Sequence, residues 1–303
     1  MSSNAEGVGR TEWSECIGSN ESDINKFDFP NTKKNLSEEA QGESNKGSEA
    51  DKNLQLSDLT PAENAELGKL VEKSKIPNNL NYLENSAYMK FLWQVEYKFN
   101  LPTNLLSCLC WEESRWSLYA WKQIIWSRAW AKWLFQFMPF NVDSYMINKQ
   151  VLEYCWIKKF KSKDEFLKNP LATAVAAGIM ISDFMGKWYN FQTALACYNW
   201  WPGSYQDKIE KKKGRRNLTA EDFSRLPRDT RAYVLSIGKG VKEGSYKKSI
   251  TYEETKNAKS KGERVRSSRD LVAKAIENNK NIVDEVLADS WSHTRNKNWN
   301  SMV

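Results

Sequence analysis

Histidine is nearly missing from this sequence, and glycine is missing from its most apolar stretch. His293 is the single histidine among 303 residues and lies in a polar tail. That excludes histidine-built metal sites and Ser/His or Cys/His catalysis, and neither a metal nor a cofactor is expected. The five cysteines (Cys16, Cys108, Cys110, Cys155, Cys197) form no CxxC pair. An odd, scattered set reads as buried thiols, not as a disulfide framework. The longest uncharged apolar run, about residues 171–181, falls short of the ~20 residues a membrane-spanning helix needs. The N-terminus opens Met1-Ser2-Ser3-Asn4-Ala5-Glu6, with no basic segment and no apolar run behind it, so no classical secretory signal is visible. Period-2 alternation is absent as well, which points to an all-α protein.

The glycine gap is abnormal. None occurs from Lys69 to Ala177, whereas the same span holds tryptophans 93, 111, 116, 121, 126, 130, 133 and 156. Average usage of roughly 7% would place about eight glycines there.

What is present divides the chain in three. Residues 1–78 read as a disordered polar tail with a possible short helix at 61–75. Its Thr60-Pro61-Ala62-Glu63 start has the pattern of an N-cap, proline at the first helical position and capping box. The first 60 residues carry a net −6 and the remainder +13. So polar and charged a segment buries too little apolar surface to offset its ordering entropy. Residues 79–240 hold the dense part. Tyr88, Phe91, Leu92, Val95 and Phe99 recur at helical spacing. Leu101-Pro102 breaks that helix, and Thr103 or Asn104 is placed to cap the next. The run 105–113 is apolar nearly all round, hence central. A loop-rich stretch follows to Lys132. A short helix is expected over 134–138, ending at Pro139. Long and short apolar helices are expected after Asn169-Pro170 and over 191–198, and a last core helix over 229–237. Residues 241–303 form a charged C-terminal tail, partly helical. Its periodic Leu271, Ala275, Ile282 and Val286 suit a solvent-facing or partner-binding helix.

Glu113 closes the central helix. A carboxyl there is open to partial desolvation, which favours its protonated form and suits a general acid. Glu112 is next to it, but adjacent helical positions point about 100° apart, so only one of them can face a cleft. The plain alternative is one solvated glutamate and one paired with Arg115 or a lysine. Alone, one carboxylate carries little weight.

Its surroundings carry more. Glu113-Ser114-Arg115 is followed by Ala129-x-Ala131-Lys132-x-Leu134-Phe135-Gln136-Phe137-Met138-Pro139 and by Asn169-Pro170. Then come Ala194-Leu195-Ala196-Cys197-Tyr198-Asn199-x-x-Pro202-Gly203 and Leu226-Pro227-x-Asp229-Thr230-Arg231-x-Tyr233-Val234. Over about residues 85–240 this order and spacing resemble the soluble lytic transglycosylase (SLT) domain, a relative of goose-type lysozyme. The resemblance implies a lysozyme-like, all-α fold acting on peptidoglycan strands of a bacterial cell wall. The implied reaction cleaves the MurNAc-β-1,4-GlcNAc bond and leaves 1,6-anhydromuramoyl ends, a lyase-type outcome. It implies Glu113 as general acid and then base. Ser114, Gln136, Tyr198, Asn199 and Tyr233 are implied substrate-binding or orienting residues, with Tyr233 hydrogen-bonding the glutamate. Read without the family, Ser114 is a polar helix end and the aromatics are core. Phe135 and Met138 suit core or cleft equally, and Asp143 is the nearest alternative second carboxylate by sequence, in no matching motif.

The chain departs from that pattern at three glycines, where Trp130, Trp133 and Trp201 stand. Tryptophan is the worst steric replacement for a glycine that allows a tight turn. One cause would cover these and the glycine gap: a gene in which UGA means glycine, translated with UGA as tryptophan. Tryptophans 116, 121, 126 and 156 are further candidates. A degenerate, inactive copy or a deliberate Gly→Trp change are the alternatives. If the tryptophans are real, a blocked cleft or impaired folding is expected.

Two other functional classes compete. The basic run Lys211-Lys212-Lys213-Gly214-Arg215-Arg216 suits an anionic surface, although no motif supports nucleic-acid binding and none is expected. A goose-type lysozyme-like hydrolase and a non-catalytic wall-binding component share the resemblance. A secretion machine or a phage particle would be a fitting partner. The site of action implied is the periplasm or cell wall, with the export route open.

Overall fold

A computed structural model describes residues 59–74, 82–114, 134–137, 139–187, 189–200, 202–214, 217–262, 268–279 and 281–288. The first 58 residues, the expected loop at 115–132, Met138, Trp130, Trp133, Trp201, Cys16 and His293 lie outside them. The architecture is all-α, with no strand among the described residues. The main helices are α1 (Pro61–Ser74), α2 (Ser86–Lys98), α3 (Leu105–Ser114), α4 (Pro139–Met146), α5 (Lys149–Tyr154) and α6 (Lys163–Lys168). They continue with α7 (Pro170–Lys187), α8 (Phe191–Trp200), α9 (Arg228–Lys242), α10 (Ile250–Ser260), α11 (Ser268–Asn278) and α12 (Ile282–Ala288). None of the described helices is long and apolar enough to cross a membrane.

Two helices make the centre. In α3, Leu105, Leu106, Cys108, Leu109 and Cys110 are all buried, as an all-round apolar helix must be. It packs on α2, α7 and α9. α7 starts where the sequence says it should. The Asn169 side chain accepts from the N–H groups of Leu171 and Ala172 at 2.9 and 3.1 Å, and Pro170 occupies the first helical position. Tyr88 of α2 donates to the Pro170 carbonyl at 3.1 Å and ties the two helices together.

Three expectations need correction. Residues 134–136 form a turn, not a helix, and the helix begins at Pro139. Gln136 is left-handed (φ +48°), which an α-helix cannot propagate through, and proline is suited to start one. Neither the Thr103 nor the Asn104 side chain caps α3. Glu96, buried on α2, accepts from the N–H groups of Asn104 (2.8 Å) and Leu106 (2.6 Å). The periodic stretch after residue 270 is two helices, not one facing solvent or a partner. Val272, Ile282 and Val286 join the core, and α11 and α12 pack on α9, which itself runs to Lys242.

Candidate active site

Four elements bring the predicted residues together. The last turn of α3 presents Glu113, which is half-buried. From α9, the Tyr233 hydroxyl donates to Glu113 Oε1 at 2.6 Å. At that distance the bond fixes where the carboxyl points. Tyr233 is itself buried. Desolvation, followed by the negative charge of Glu113, pushes its phenol well above the usual tyrosine range. It therefore keeps its proton and stays a donor to the carboxyl at any working pH.

Tyr198 on α8 links the arrangement to the turn at 134–136. Its hydroxyl donates to the Phe135 carbonyl at 2.9 Å, inside the turn that carries Gln136. Burial and then the Glu113 charge push the Tyr198 phenol upward too, so this tyrosine lies within electrostatic reach of the glutamate. Tyr233 senses Tyr198 in the same way. Gln136 is partly buried at positive φ, a conformation costly for a non-glycine residue and one that clusters at functional sites. Phe135 is fully buried core.

The remaining candidates have narrower places. Asn199 is exposed, and its Oδ1 accepts from the buried Thr230 hydroxyl of α9 at 2.8 Å, which orients the amide. Ser114 fits the plainer of its two readings. It is fully buried and its hydroxyl donates to Cys110 O at 3.0 Å, turned into its own helix. Asp143 is exposed on α4 and bridged to Lys163 at 2.8 Å. In the basic run, Lys211 pairs with Asp207 at 2.5 Å, one turn away. Arg115, the pairing candidate for one of the two glutamates, lies outside the described residues. Glu112 accepts from the hydroxyls of Ser236 and Thr251. Sequence reasoning missed Ser236, Thr251 and Glu96, because each acts on a residue far away in the chain or reads as an ordinary polar position.

A carboxyl held at the end of a buried helix by a permanently protonated phenol can give and take a proton on one fixed line. Tyr198 is within electrostatic reach of that carboxyl and bonded to the turn that carries Gln136, and the Asn199 amide is tied to Thr230 of α9; amides and aromatic rings are groups suited to N-acetylated sugars. Residues 92–219 match the family model of the Transglycosylase SLT domain. Glu113, Gln136, Tyr198 and Asn199 lie inside that span and Tyr233 beyond it. No curated protein and no solved structure gives a match. Residues 92–219 thus carry a transglycosylase SLT domain, which supports a peptidoglycan-degrading function of the lytic transglycosylase type.

Proposed function

We propose that this protein cleaves the MurNAc-β-1,4-GlcNAc bond with Glu113 as its single proton-transfer group. The protonated Glu113 gives its proton to the glycosidic oxygen, and the bond from that oxygen to C1 breaks with its electron pair on the leaving sugar. The positive charge left at C1 is met by the sugar's own N-acetyl group. Glu113, now a carboxylate, takes the proton of the O6 hydroxyl while O6 bonds to C1. A 1,6-anhydro ring forms and the acid is regenerated. One carboxyl suffices, unlike the paired carboxylates of most glycosidases. Tyr233 holds Glu113 in line, and Gln136, Tyr198 and Asn199 line the sugar subsites. Ser114 contributes packing.

The observation that carries this reading is the 2.6 Å bond between Tyr233 and Glu113. The test is digestion of purified peptidoglycan by the full chain, both as written and with Trp130, Trp133 and Trp201 changed to glycine, with products read by mass spectrometry. Anhydro ends are expected from the glycine form. Reducing ends would make the chain a hydrolase of the goose-type lysozyme kind, with water in place of O6. Glu113→Gln should remove turnover by about 10²–10⁴-fold while glycan binding persists. A form that digests the wall equally well with Glu113→Gln would overturn the proposal.

A further inference from the structure

The last turn of α3 carries two glutamates, and the structure gives them different work. Glu113 meets Tyr233 of α9. Glu112, about 100° round the helix, meets Ser236 of the same helix at 2.5 Å and Thr251 of α10. Tyr233 and Ser236 are three residues apart, so one face of α9 receives both carboxyls.

The hydroxyl protons around Glu112 can be accounted for. Thr251 Oγ1 accepts from the indole N–H of Trp111 at 3.1 Å, and Ser236 Oγ accepts from the Thr251 backbone N–H at 3.2 Å. Each hydroxyl thus has an N–H on its lone pairs and one proton to give; the two oxygens lie 3.1 Å apart, and Glu112 Oε1 is within reach of both. Trp111, Ser236 and Thr251 are buried, so the network is held in a place where an unmade bond is costly. The helices are also close here. A Cβ on Gly240 of α9 would come within 2.7 Å of Cys108 Sγ on α3.

We infer that Glu112 is the positioning residue of the active site, and that Thr251, outside the matched SLT span, completes it. Fixing Glu112 fixes both the rotation and the height of the α3 end, and so places Glu113 against Tyr233. Errors of about 1 Å in such placement can cost about 10²-fold in rate. The inference rests on the reading of Glu113 as the acid.

The experiment uses the full chain in whichever form digests peptidoglycan. Thr251→Val, which keeps the shape and removes the hydroxyl, should lower kcat at least 10-fold with KM within about 2-fold. Thr251→Ser should restore kcat. Ser236→Ala, a milder cut in the same network, should lower kcat in the same direction. It also serves as the readout if Thr251→Val does not fold. Calorimetric binding of N-acetylglucosamine oligomers should be unchanged in each folded variant. A purely structural role would lower the melting temperature and leave kcat per folded molecule intact, and that result overturns the inference. So does a Thr251→Ser variant as slow as Thr251→Val. If Glu113→Gln stays active, the reading of Glu113 fails instead, whatever Thr251 does.

Discussion

The two halves of the described chain ask the same thing of the backbone and answer it with different residues. Positive φ is taken by Asn100, Asn104, Gln136 and Trp156 in the first half, and by Gly214, Gly244 and Gly262 in the second. The helix ends at Trp156 and Gly244 are close copies. After α5, Trp156 N–H bonds Glu153 O and Ile157 N–H bonds Leu152 O. After α9, Gly244 N–H bonds Val241 O and Ser245 N–H bonds Gly240 O. Both are Schellman ends, whose left-handed residue is normally glycine. At Trp156 φ is +53° and the residue is 55% exposed, so more than half of its surface gains nothing from burial. The backbone of the first half calls for a glycine that its sequence lacks. This agrees with reading Trp156, like Trp130, Trp133 and Trp201, as a glycine position occupied by tryptophan.

The largest test concerns how the first half manages where no glycine is available. Asn104, at φ +67°, is held through its N–H by Glu96. Burial pushes the Glu96 carboxyl up to about 8, against the opposing pull of the Leu106 and Asn104 N–H groups. In the unfolded chain it titrates near the ordinary value of 4.5. The folded state therefore binds this proton more tightly. The stability it adds is fully present below about pH 4.5 and is lost as pH rises towards about 8, a change of a few kcal/mol at roughly 1.4 kcal/mol per unit. Denaturant unfolding at pH 5 and 8.5 should show this loss, and Glu96→Gln should flatten it. An equal slope in the variant would remove Glu96 as the cause.

Next is the second half, where glycine serves close approach. Gly240→Leu would drive a side chain into Cys108 Sγ and against the Ser245 carbonyl at 3.3 Å from its Cβ. Overpacking of this kind costs about 1–3 kcal/mol. A melting temperature within error of the parent would show that α3 and α9 can part without loss.

What the sequence made legible follows from how local each signal was. Asn169-Pro170 announces α7 because the cap and the proline act within three residues. Glu113 could be placed at the end of a buried helix because the apolar run 105–111 needs no distant information. The 134–138 segment reads as a helix because an apolar run does not reveal a left-handed Gln136. Glu112's partners are invisible from sequence, since Ser236 and Thr251 lie 124 and 139 residues away. The amphipathic residues past 270 were correctly periodic, but periodicity cannot say that their partner is α9 of the same chain.

A reciprocal swap comes third in size. Trp156→Gly should stabilise by about 1 kcal/mol, since a left-handed non-glycine residue costs roughly 1–2 kcal/mol and little packing is lost. Gly244→Trp should destabilise by a similar amount. Nothing lies within 4 Å of a Cβ at Gly244, so the cost there is conformational and not steric. The coding DNA gives an independent check on the origin of the difference. UGG codons at 130, 133, 156 and 201 would make these tryptophans genuine, and the strain at Trp156 would then be a property of the natural protein.

Asn100→Gly is the smallest effect and the sharpest control. Asn100 ends α2 in the same manner, with its N–H on Tyr97 O at 3.2 Å and the Leu101 N–H on Glu96 O at 2.8 Å. Asparagine enters the left-handed region more readily than other non-glycine residues, so glycine gains little there and also loosens the unfolded chain. The expected change is within about 0.5 kcal/mol, read by chemical denaturation beside Trp156→Gly. If both variants gain equally, the benefit belongs to any glycine at a Schellman end, and Trp156 marks nothing special. If only Trp156→Gly gains, the strain is tied to the bulky side chain, and the first half of the chain carries residues its backbone was not shaped to hold.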